Sequence, residues 1–80
     1  MKPTIPDVLP LIKAYRDAGH HVGGNLHVVL DEGNIRDSDI LFCRDEAIAH
    51  QDHEGVKIAN LLLQMSKTQR SKISSLFYRL

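Results

Sequence analysis

The sequence predicts an all-α fold: a small single-domain bundle of about four helices plus a short connector helix. Three observations predict it. Apolar residues recur at helical spacing in four separate segments. Most of these segments begin or end at a residue suited to a helix terminus. No convincing second strand accompanies the one segment that could be extended. The alternative is α+β, with a short strand at 26–30.

Residues 1–6 hold Pro3 and Pro6 and read as an extended lead-in. Asp7 is placed to cap a helix over 7–18, in which Val8, Leu11, Ile12, Tyr15 and Ala18 share a face. Pro10 then falls in the first turn, where a missing N–H is tolerated, and Gly19 stops the helix. His20 to Gly24 form a joint. Beyond it, Gly23–Asn34 is an apolar connector with glycine and asparagine at both ends. As a helix, Asn25 caps it and Leu26, Val29 and Leu30 share a face; as a strand, Leu26, Val28 and Leu30 alternate with His27, Val29 and Asp31. The cap and the Gly33-Asn34 stop favour the helix, while Val28 and Val29 favour the strand.

Asp37 or Ser38 caps the next helix, about 38–51. A wheel at ~100° per residue groups Ile40, Leu41, Cys43, Ala47 and Ile48 on the inward side. It leaves Phe42 and Ala49 opposite, among Ser38, Asp45 and Glu46. Asp52 caps a helix over 53–65 that is apolar around more than half its circumference, so this helix is expected at the centre. Ser66 and Gln69 have the spacing of a capping box for a last helix over about 67–79. Ile73, Leu76, Phe77 and Leu80 form its apolar stripe, with Lys72 and Arg79 to one side and Arg70 to the other.

Eighty residues form one domain, and a chain of this length buries only about 60% of its unfolded surface. A homodimer that completes the core is therefore a candidate assembly. The net charge is zero but unevenly spread. Eight acids lie between Asp31 and Glu54 against Arg36 and Arg44, while residues 66–80 carry Lys67, Arg70, Lys72 and Arg79 and no acid. Cys43 is the only cysteine, so no internal disulfide forms. The prolines near the N-terminus do not fit a signal peptide, and no apolar run approaches the ~20 residues of a membrane span. The cytoplasm is the expected compartment, with no membrane partner.

One order of residues is similar to known sequences. Gly23-Gly24-x-Leu26-His27-x-Val29-Leu30-Asp31-x-Gly33-Asn34, then Cys43, then Leu62-Leu63-x-Met65-Ser66-x-Thr68-Gln69-Arg70 resembles a group of short proteins encoded by phages and prophages, with no assigned activity. The likeness covers roughly residues 22–72. It implies a phage or mobile-element origin and a bacterial host. By analogy with other small phage accessory proteins, anti-CRISPR and further counter-defence inhibitors among them, it implies an adaptor or inhibitor of a host protein.

The residues offer five constellations. His20, His21, His27, His50, His53 and Cys43 carry zinc-type donors, but only His50 and His53 are close in sequence and they straddle a helix boundary. Surface histidines near helix ends are the simpler reading, and neither a metal nor a cofactor is expected. Asn25, His27, Asp31 and Asn34 could hold a small ligand or form a structural hydrogen-bond network; with no nucleophile beside them, catalysis is not expected. The Gly23-Gly24-Asn25 turn could bind an anion but lacks any nucleotide fingerprint, and a tight turn explains it. Lys67, Arg70, Lys72 and Arg79 could contact nucleic acid, although a neutral domain is an unusual binder of it and a solvated face, partly paired with the acidic middle, explains them better. Asp39, Phe42, Asp45 and Glu46 could contact a basic protein partner through an aromatic anchor among carboxylates, unless the wheel is rotated and Phe42 is core. The reading that follows is a non-enzymatic interaction protein acting on a host protein, with a ligand binder and a nucleic-acid accessory protein as alternatives.

Overall fold

The computed structural model describes residues 2–18 and 36–77. Among them are four helices and no strand: α1 (Ile5–Asp17), α2 (Asp37–Ala49), α3 (His53–Leu63) and α4 (Lys67–Phe77). The fold is a small all-α bundle. Whether 26–30 is helix or strand lies outside the described residues.

The N-terminal boundary differs from expectation. Thr4, not Asp7, is the N-cap of α1. Asp7 is the third helical residue and reaches back, accepting from the Thr4 N–H at 3.0 Å and from its hydroxyl at 2.7 Å. Those bonds from Thr4 hold the Asp7 carboxyl below its ordinary range. The extended lead-in is therefore shorter than residues 1–6. Pro10 lies inside the helix rather than in its first turn, and it is exposed. Its absent N–H leaves the Pro6 carbonyl without the usual helical donor.

The link from α2 to α3 is a complete Schellman motif. The Gln51 N–H donates to Ile48 O at 3.1 Å and the Asp52 N–H to Ala47 O at 2.8 Å. Gln51 takes the left-handed conformation, φ 57°, that glycine usually fills. Asp52 caps α3 as expected, accepting from the Gly55 N–H at 3.2 Å. The capping box of α4 is also present: the Gln69 N–H donates to Ser66 Oγ at 3.2 Å and the Ser66 N–H to Gln69 Oε1 at 3.1 Å.

α3 packs against α2 and α1, and α1 against α4. The core comprises Val8, Ile12 and Tyr15 from α1; Ile40, Cys43 and Ala47 from α2; Ile58, Ala59 and Leu62 from α3; Met65 from the following turn; and Ile73 from α4. The inward side of α2 is narrower than the wheel implies. Leu41 and Ile48, expected in the core, are exposed. One helix packed chiefly against a single neighbour buries only the i, i+3, i+7 row Ile40, Cys43, Ala47. Leu76, expected in the buried stripe of α4, is also exposed.

Candidate functional site

The outer face of α2 combines the largest exposed apolar groups of the described residues with acidic side chains. Phe42 is 63% exposed, Ile48 56% and Leu41 37%. At 100° per residue, Leu41 and Ile48 fall on one side of Asp45, and Phe42 and Ala49 on the other. The wheel's placement of Phe42 outside the core is the observed one. Asp45 projects into solvent, its carboxylate 3.7 Å from Arg44 Nη2. Asp39 and Glu46 are half-buried beside Phe42. Asp39 accepts from Arg36 Nε at 3.0 Å, and Glu46 Oε2 lies 3.8 Å from His50 Nε2. The four predicted contact residues, Asp39, Phe42, Asp45 and Glu46, thus lie on one side of the helix, with Leu41 and Ile48 extending its apolar part.

Cys43 points the opposite way and is buried. Burial, then the charges of Asp39 and Glu46, push its thiol up to about 11. A thiol so held is protonated at neutral pH and is a poor nucleophile. Among the described residues no three His, Cys, Asp or Glu side chains form a metal-binding group.

The basic end divides. Lys67 and Lys72 are exposed on α4, as are Thr68 and Ser71. Arg70, grouped with them in the sequence, is 3% exposed and corrects that expectation. Its Nε donates to Leu62 O at 2.8 Å and its Nη2 to Leu63 O at 3.4 Å, so it caps the C-terminal end of α3. Its Nη1 donates to Asp37 Oδ1 at 2.5 Å, at the start of α2. A guanidinium consumed by two carbonyls and a carboxylate inside the fold is not presented to phosphate. The sequence held a signal for this, since Arg70 precedes Ile73 by three residues and shares its inward side. Arg79 lies outside the described residues. So do Asn25, His27, Asp31 and Asn34.

Sequence reasoning missed one buried polar cluster. The Tyr15 hydroxyl donates to Asp52 Oδ2 at 2.5 Å, joining α1 to the cap of α3. Burial, then the hydrogen bond and charge of Asp52, raise the Tyr15 phenol well above its ordinary value. Gly55 leaves room for this pair: a Cβ there would lie 2.7 Å from Asp52 Oδ2 and 3.0 Å from Tyr15 Oη. The only sequence signal is a glycine in the first turn of an otherwise apolar helix.

No helix among the described residues is long and apolar enough to cross a membrane. No family model, no curated protein and no solved structure matches the chain.

Proposed function

We propose that this chain is a non-enzymatic interaction protein of the phage type its motif resembles. In this reading it binds a host protein through the outer face of α2 and inhibits or redirects it. A counter-defence inhibitor is the most specific form of the reading.

The observation that carries it is the exposure of Phe42 among carboxylates, with Leu41 and Ile48 alongside. Single exposed apolar residues are ordinary, but several large ones on one helix face favour an interaction surface. Aromatic side chains are common anchors because they bury much area for little rotamer entropy. Asp39, Asp45 and Glu46 around the anchor favour a basic partner and speed its approach. With Arg70 committed to the interior, Lys67 and Lys72 are the basic residues left on the described part of α4, which weakens the nucleic-acid alternative.

The test is capture from a bacterial lysate with the purified chain, repeated with Phe42→Ala and Glu46→Lys. Circular dichroism of each variant serves as the check on folding. The expected result is a captured protein that both variants lose while keeping wild-type helicity. If both variants retain the same partners at the same strength, the α2 face is not the interface.

A further inference from the structure

We draw no further inference here: the strongest candidate, the concavity of about 230 Å³ that Leu11, Ala14, Tyr15 and Ala18 of α1 form with Glu54 of α3, is a mainly apolar groove, and nothing in the structure shows what covers it.

Discussion

A methyl group at Gly55 has nowhere to go. Asp52 Oδ2, which it would meet at 2.7 Å, is held by the Tyr15 hydroxyl, while Oδ1 is held by the Gly55 N–H. Alanine is favoured over glycine inside a helix by about 1 kcal/mol, but overpacking a fixed contact costs about 1–3 kcal/mol. Gly55→Ala should therefore lower stability by about 1 kcal/mol against its propensity, read as a lower urea midpoint. An unchanged or higher midpoint would show that the Tyr15–Asp52 pair can yield. Tyr15 and Cys43 also set a pH dependence. Both groups hold their protons more tightly folded than unfolded, so their contribution is complete below their ordinary values of 10.0 and 9.0. It is lost as pH rises, through about 11 for Cys43 and beyond that for Tyr15. The urea midpoint should thus be insensitive to these groups at neutral pH and fall above pH 9.0, with Tyr15→Phe removing the part of the fall that begins near 10.0. A midpoint equally steep in Tyr15→Phe would assign the alkaline loss elsewhere. Of this cluster the sequence revealed only the Asp52 cap, because a cap is a local pattern. The partner Tyr15 is 37 residues distant, and helical spacing names a face without naming what it meets.

Local chemistry also separates the helices that were legible from the one that was not. The Ser66–Gln69 box and the Asp52 cap follow directly from side chains three residues from the donors they satisfy. Thr4–Asp7 is the same device, hidden by the prolines that made residues 1–6 look extended; a proline in the first turn is in fact favourable. For α2 the wheel places Ile40, Cys43 and Ala47 inward and Phe42 outward, as observed, but misplaces Leu41 and Ile48 for a different reason. Its apolar residues spread around most of the circumference, so periodicity cannot set the width of the inward arc, and packing against α3 narrows it to Ile40, Cys43 and Ala47. The same spread leaves Leu41, Phe42 and Ile48 outside, so the ambiguity in the sequence and the candidate site have one cause. The turn between α2 and α3 allows a direct check. A non-glycine residue in the left-handed region costs roughly 1 kcal/mol, partly offset by the greater unfolded-state freedom of glycine. Gln51→Gly should raise stability by about 0.5 kcal/mol with no change in helicity, measurable as a higher melting temperature. Gln51→Val, whose branched side chain resists positive φ, should lower it.

The bundle was predictable as a set of helices, but what joins them end to end was not. Arg70 is the joint: one side chain connects the first turn of α4 to the last carbonyls of α3 and to the beginning of α2. A buried arginine is costly unless its donors find acceptors, and here two of the acceptors are carbonyls of the last turn of α3, of which Leu62 O also accepts from the Met65 N–H at 3.1 Å. The ion pair itself contributes little, since the Asp37 side chain is 69% exposed and solvent screens it. Most of the effect should come from the carbonyls and the buried stem. That division makes an ordered prediction. Asp37→Ala should cost less than about 1 kcal/mol, within the range of surface pairs. Arg70→Ala should cost about 3 kcal/mol, because it removes the charged donors to Leu62 O and Leu63 O and opens a cavity together. Arg70→Lys should recover little of that loss, since an ammonium lacks the planar fork that spans acceptors on two helices. Urea titration of the three variants decides it. If Asp37→Ala and Arg70→Ala cost the same, the ion pair carries the joint. If Arg70→Lys restores wild-type stability, charge alone suffices. The expected order, Arg70→Ala close to Arg70→Lys and both well beyond Asp37→Ala, would identify backbone capping by a single guanidinium as what fixes α4 against the rest of the bundle, and with it the relative placement of the acidic and basic faces.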